Sequence, residues 1–331
     1  MDELSEETFK YTKKVDTLEL QLCPELIDKD FLAKLTNTLK NIRKDIFETY
    51  GVPIPPVKIT CCDESFSNPD IQIKVFIIGY CIHEINKHEK SNSIPSIIYN
   101  TIKHNLPCFI TATTIEKIYE EVQKENPTLM TNLKSFTDSY TAVRHVLKNL
   151  VSDYIPLNNL ALIFENILES YARYKIENCS FWYLSSHARE ELAPIFITEL
   201  LNTNREFLFF DVSNEILTYL RYNKRTFKRD FLLPLVNEMK NIIKENPSAN
   251  FILDLDEELR YFYHISLKPV FPDLRIIRKE ELDRANLFSP FSRKLIKTID
   301  IPIPNKEAPA ADKKAVKKTP WIKKIFKKFK K

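Results

Sequence analysis

Apolar residues alternate at the start of the chain, take helical spacing through its middle, and alternate again before the end. Thr17 to Leu22 sets Leu18, Leu20 and Leu22 against Glu19 and Gln21, the two-residue period of a strand. Leu32, Leu35, Leu39, Ile42, Ile46 and Phe47 predict a helix over Phe31 to Tyr50, with Gly51 where a helix C-cap glycine belongs. Val57 to Thr60 and the apolar run Ile71 to Tyr80 predict two further strands, and Phe109-Ile110 a short one. Thr111 is placed to cap a helix through Ile115, Ile118, Tyr119 and Val122.

From Asn126 to about Asn204 the spacing is helical. Val143, Val146, Leu147 and Leu150 form one stripe, and Leu160, Ile163, Phe164, Ile167, Leu168 and Tyr171 another. Asp153-Tyr154-Ile155-Pro156 separates them. Residues 205–285 predict strands at Phe207–Val212, Phe251–Leu255 and Leu274–Ile277, and helices at Phe231–Lys244 and Glu257–Leu267.

The fold class is therefore α+β, in several small subdomains. The predicted boundaries are an N-terminal linker (1–15), a first α/β subdomain (16–125) with an inserted part at about 72–107, a helical subdomain (126–204) and a C-terminal α/β subdomain (205–289). Residues 290–319, rich in Pro, Lys and Ala, read as a flexible linker before a basic segment at 320–331.

Composition narrows the chemistry. Gly51 and Gly79 are the only glycines in 331 residues, where roughly twenty would be ordinary. They stand too far apart for a glycine-rich phosphate cradle. No stretch reaches transmembrane length and apolarity, and the acidic, polar residues 1–7 do not read as a secretory signal. The scattered Cys23, Cys61, Cys62, Cys81, Cys108 and Cys179 fit reduced cytoplasmic thiols. Ten lysines and no acid occupy residues 313–331; removing them from the net +4 leaves residues 1–312 at −6.

The nearest approach to a metal set is Cys61, Cys62, Cys81, His83, His88, His104 and Cys108, but its spacings match no zinc pattern. Asp254, Asp256, Glu257 and Glu258 read as the acidic first turn of a helix rather than a catalytic pair. Arg189 with Glu190 and Glu191 reads as a solvated helix face, and Phe181-Trp182-Tyr183 and Phe207, Phe209 and Phe210 as core. No catalytic, cofactor or metal residue is assigned.

The tail is different. Thr319 can cap and Pro320 can start a helix. At about 100° per residue, Trp321, Ile322, Ile325, Phe326 and Phe329 fall on one side and Lys323, Lys324, Lys327, Lys328, Lys330 and Lys331 on the other. That segregation predicts binding to an anionic membrane surface. A solubilising tail and a nucleic-acid contact are the rival readings, the last of them not expected here.

Together these segments resemble the cytoplasmic domain of the large export-gate protein of flagellar and virulence type III secretion systems, the FHIPEP family. The residues that carry the resemblance are Asp16 to Leu20, Ile42-Arg43-Lys44 with the crossing Tyr50 to Ile59, and Val146 to Leu150 with Ile155 to Glu165. Leu259-Arg260 and Phe271 to Ile277 complete it, so that it covers roughly residues 16–285 in the family's order. Against the family pattern the membrane half is missing, the segment from Ile78 to Leu106 is shortened, and Thr111-Ala112 stands where Asp-Pro is usual. No partner-binding residue is therefore carried over.

The resemblance implies a non-enzymatic component or regulator of a protein-export apparatus at the cytoplasmic face of the membrane. Its implied partners are export substrates, chaperones and other export-apparatus proteins, with a homo-oligomeric ring or co-assembly with a full-length gate protein. The alternative is a membrane-associated interaction module that keeps the fold outside secretion.

Overall fold

A computed structural model describes residues 17–62, 66–136, 139–174, 181–223, 229–253 and 257–304. The tail helix at 320–331, the N-terminal linker, Cys179, Asp254 and Asp256 lie outside the described residues. The chain forms two compact units, one of Met1–Glu125 with Pro156–Asn158, the other of Asn126–Ile155 with Asn159–Lys331.

The first unit is built on a four-stranded mixed sheet of β1 (Leu18–Leu22), β2 (Lys58–Cys61), β3 (Ile71–Ile77) and β4 (Tyr80–Asn86), in the order β2-β1-β3-β4. β1 runs parallel to β2 and antiparallel to β3. The alternation read from sequence is the burial pattern found: Leu18, Leu20 and Leu22 are buried, while Glu19 and Gln21 are partly open. Helices α1 (Lys29–Tyr50), α2 (Ile94–His104) and α3 (Ala112–Glu125) complete the unit.

Two features of this unit differ from the sequence expectation. The apolar run ending at Tyr80 is a hairpin rather than one strand: Ile78 (φ 50°) and Gly79 (φ 76°) form its two-residue turn and β4 returns along β3. A tight turn with both central φ positive normally selects Asn-Gly, so the β-branched Ile78 hid it. Phe109-Ile110 is no strand either; Leu106–Phe109 is a 3-10 turn that Pro107 opens.

The Gly51 crossing behaves as its sequence predicts. Gly51 sits in the left-handed region (φ 66°) and its N–H donates to the Phe47 carbonyl, closing α1. Arg43 Nε donates to the Ile54 carbonyl at 2.9 Å, which ties the proline stretch back to the helix. Leu157 N–H donates to the Tyr50 carbonyl at 2.9 Å, and Asn158 Nδ2 to the Glu48 carbonyl at 3.2 Å. A Cβ on Gly51 would lie 2.6 Å from Asn158 Oδ1 and 3.0 Å from the Leu157 carbonyl carbon. Gly51→Ala is expected to lower stability by about 2–3 kcal/mol, of which the left-handed conformation alone costs roughly 1–2. Urea unfolding measures this, and a loss under about 0.5 kcal/mol would show the crossing adapts freely.

The second unit opens with α4 (Pro127–Lys134), α5 (Ser139–Ser152), α6 (Leu160–Tyr174) and α7 (Phe181–Phe196). Their stripes meet as read: Val143, Val146, Leu147, Leu150, Ile163, Phe164 and Ile167 are all buried. The chain continues through β5 (Glu206–Val212), α8 (Asn214–Tyr222), α9 (Arg229–Glu245), β6 (Asn250–Ile252), α10 (Glu257–Phe262), β7 (Ile276–Ile277), α11 (Lys279–Phe288) and β8 (Ser292–Ile299). The four strands form an all-parallel sheet in the order β7-β6-β5-β8. Phe207, Phe210, Phe231, Phe251 and Phe262 are fully buried around it.

β8 corrects the sequence reading, which placed residues 292–299 in a flexible linker. Its partner is β5, with register Glu206↔Ser292 through Val212↔Ile299. It is an edge strand, exposed along most of its length, and carries Arg293, Lys294 and Lys297. Edge strands use such charges to resist pairing with other chains, and that is the composition that resembles a linker.

Candidate functional site

The sequence points to three chemical features in the described residues, and the structure treats each differently. The cysteines and histidines do not converge. Cys61 lies on β2 and Cys81 and His83 on β4, at opposite edges of one sheet, while His104 ends α2. Among the described residues no three His, Cys, Asp or Glu side chains gather as a metal ion would require. Phe207 and Phe210 are core, whereas Trp182 is half-buried and Tyr183 exposed.

Arg189 is the largest departure. Its charged neighbours Glu190 and Glu191 predict a solvated helix face, and it is fully buried. Its Nη1 donates to Asp153 Oδ2 at 2.6 Å and its Nε to Glu281 Oε1 at 2.6 Å. Its Nη2 donates to Glu281 Oε2 and to the Ile276 carbonyl, both at 2.9 Å. Arg260, equally buried, donates through Nη2 to the same Asp153 oxygen. The cluster thus joins the end of α5, the middle of α7, α10 and the first turn of α11. Glu281 Oε2 also accepts the Arg278 N–H at 3.0 Å, so the carboxylate caps α11 while it pairs.

One sign of this burial was present in the sequence. Ser185, Arg189, Leu192 and Phe196 follow steps of four, three and four, so Arg189 lies in register with the apolar stripe of α7. Glu190 and Glu191, being sequence neighbours, do not share its face. The partners Asp153 and Glu281, 36 and 92 residues away, carried no local sign.

Tyr154 follows Asp153 in the left-handed region (φ 60°) and is locked from all sides. Its hydroxyl donates to the Pro272 carbonyl at 2.6 Å, and its carbonyl accepts from Arg275 Nη1 at 2.6 Å. Lys268 Nζ and the Arg275 guanidinium lie 4.8 and 4.9 Å from its ring centroid. A non-glycine residue held at positive φ by this many contacts is backbone strain borne by its surroundings.

Charges in the cluster displace one another's proton affinities. Arg260 and Arg189 beside it hold the Asp153 carboxyl well below the usual range, against the cost of burial. Burial lowers His264 to about 4; Asp153 resists this while Arg260, Lys268 and Arg189 reinforce it. Burial likewise lowers Lys268 to about 8, opposed by Asp153 and aided by Arg260, Arg275 and Arg189.

The sign of the linkage follows. Between about 4 and 6.5 the unfolded chain binds a proton at His264 that the folded chain does not, so stability falls as pH drops through that window. Between about 8 and 10.5 the same holds at Lys268, so stability rises with pH there. Each window is worth on the order of 2 kcal/mol after allowing for partial exposure. Urea midpoints across pH are expected to show both rises, and Lys268→Met to remove the upper one. An unchanged upper rise in that variant would place its origin elsewhere.

Two surface features remain. A cavity of about 290 Å³ is lined by Glu199, Asn202, Ser248, Asn250, Asp273 and Arg275; Arg275 Nη1 is committed to the Asp153 and Tyr154 carbonyls. Leu287 and Phe288, which end α11, are 79% and 68% exposed, and Leu295 on β8 is 48% exposed. Arg205, itself at positive φ (56°), ties the intervening turn through Nη2 to Ser289 Oγ at 2.5 Å and Pro290 O at 3.4 Å. Among the described residues no helix is long and apolar enough to cross a membrane.

Known proteins share this arrangement. A cryo-EM structure of the nonameric SctV C-terminal domain from EPEC superposes with a TM-score of 0.67 at 15% identity, over 87% of this chain and 99% of that one. The Chlamydia pneumoniae CdsV protein, solved in complex with CdsO, gives 0.63 at 13% identity, over 82% and 98%. At those identities the likeness is one of fold. Among curated proteins, the flagellar biosynthesis protein FlhA of Buchnera aphidicola is 25% identical over 173 residues, half of this chain and 24% of its own length. This chain therefore aligns with about a quarter of that relative. The profile of the FHIPEP family matches residues 81–286, from β4 to within α11. That is more than half of the sequence, and the chain belongs to the FHIPEP family.

Proposed function

We propose that this protein is a non-enzymatic component or regulator of a flagellar or virulence-type protein-export apparatus. It binds export substrates, export chaperones or other export components at the cytoplasmic face of the membrane. The observation that carries this reading is the family match over residues 81–286, on a chain whose fold covers 99% of the SctV C-terminal domain. The nonameric state of that relative and the CdsV complex with CdsO support two kinds of contact, with further copies of a gate domain and with another export component. Attachment to an anionic membrane surface through residues 320–331 belongs to the same proposal.

The test uses the tagged full-length chain against purified export-apparatus proteins and export chaperones of its own organism. At least one is expected to bind, and sedimentation is expected to show self-association rising with concentration. Leu287→Ser with Phe288→Ser removes the two exposed apolar side chains that end α11, and a tenfold or greater loss of binding would place the contact there. If none of the export components binds, the export reading fails and an interaction module outside secretion takes its place.

A further inference from the structure

Two thiols far apart in sequence meet at one end of the first sheet. β1 and β2 run parallel with Leu22 opposite Cys61, and the Cys62 N–H donates to the Leu22 carbonyl at 3.0 Å. Cys23 keeps an extended backbone (φ −69°, ψ 153°), and its N–H donates to the Gln72 carbonyl of β3 at 3.0 Å. The register therefore runs one step past the strand ends and sets Cys23 beside Cys62. By alternation both follow the face of Glu19, Gln21, Lys58 and Thr60, where Thr60 Oγ1 donates to Glu19 Oε1 at 2.6 Å. Leu18, Leu20 and Leu22 fill the other face. Cys23 forms a small apolar cluster with Phe66 and Ile71, and Cys62 packs against that cluster.

Neighbouring strands lie about 4.8 Å apart, inside the Cα separation of roughly 4.4–6.8 Å that a disulfide spans. Neither cysteine takes part in a disulfide. Cys23 is 3% exposed and Cys62 is half-buried, so a small oxidant meets Cys62 first and finds Cys23 behind it. We propose that this pair is a reversible, hydroperoxide-driven staple between β1 and the edge strand β2. The Cys62 thiolate attacks the peroxide O–O bond, becoming a sulfenic acid and releasing water, or an alcohol from an organic hydroperoxide. The Cys23 thiol then displaces the sulfenic oxygen as water while the S–S bond forms. The peroxide gains two electrons and the thiol pair loses two; exchange with a small dithiol reverses the change. The staple closes the segment that holds α1 and the Gly51 crossing, and it anchors a strand of only four residues.

The full chain is treated with a small excess of hydrogen peroxide, alkylated, digested without reductant and mapped by mass spectrometry. The expected product joins the peptide of Cys23 to the peptide of Cys61 and Cys62. Cys61→Ser should keep the link, since Cys61 is exposed and stands opposite Leu22 on the other face; Cys62→Ser should lose it. Closing a loop of this length should raise Tm by about 5–10 °C, and dithiothreitol should remove the rise. A link that needs Cys61 instead, or that forms only in urea, overturns the proposal. So does Cys62 passing to sulfinic acid while Cys23 stays alkylatable, and so does an equal Tm for the oxidised and reduced chains.

Discussion

Arg189→Met is expected to destabilise the protein by about 3–5 kcal/mol, the largest loss from a single side chain, because it strips a buried ion cluster of its central cation. Methionine occupies similar length and tolerates irregular packing, so lost volume contributes little. What remains is electrostatic. Glu281 loses both guanidinium bonds and is fully buried; Asp153 loses one of two. The Ile276 carbonyl on β7 loses its Arg189 donor as well. The exposed pair of Arg293 and Asp283 supplies the contrast. Arg293→Met should cost no more than about 1 kcal/mol, as solvated ion pairs do. Urea unfolding of both variants reads the difference. An Arg189→Met loss within about 1 kcal/mol of the Arg293→Met loss would mean that the buried carboxylates protonate or rehydrate cheaply.

The same residue shows where the sequence is legible and where it is not. Local periodicity carries α1, its Gly51 cap, β1 and the stripes of α5 and α6, because each is decided by residues within one or two turns of one another. The family resemblance rested on those segments too, and the family match covers the later ones, from Cys81 onward. Arg189 escaped because its environment is set by Asp153 and Glu281, which only the folded chain brings together. β8 escaped for the opposite reason. An edge strand with one buried residue at its end has no alternation to show, and its lysines read as solvent-facing linker. The β3–β4 turn escaped because Ile78 stands where turn chemistry calls for Asn or Gly.

Deletion of residues 320–331 is expected to weaken binding to vesicles containing phosphatidylglycerol by 100-fold or more at about 0.1 M salt. Six lysines lie in that segment, each contributing on the order of 1 kcal/mol beside an anionic surface, with the apolar face of Trp321, Ile322, Ile325, Phe326 and Phe329 adding burial. The charge separation in the sequence argues the same way. Without its ten C-terminal lysines the rest of the chain carries −6, so an anionic surface repels the body and attracts only the tail. Binding should therefore fall steeply with salt. Trp321 reports the apolar half of the contact, since the only other tryptophan is Trp182. A blue shift on adding vesicles, absent in Trp321→Phe, is the expected signature of a ring entering the interface. A solubilising tail predicts no shift and no loss on deletion; a nucleic-acid arm predicts retention by RNA or DNA in place of vesicles. Lysines alone would bind all polyanions alike, so the tryptophan shift decides among the three readings.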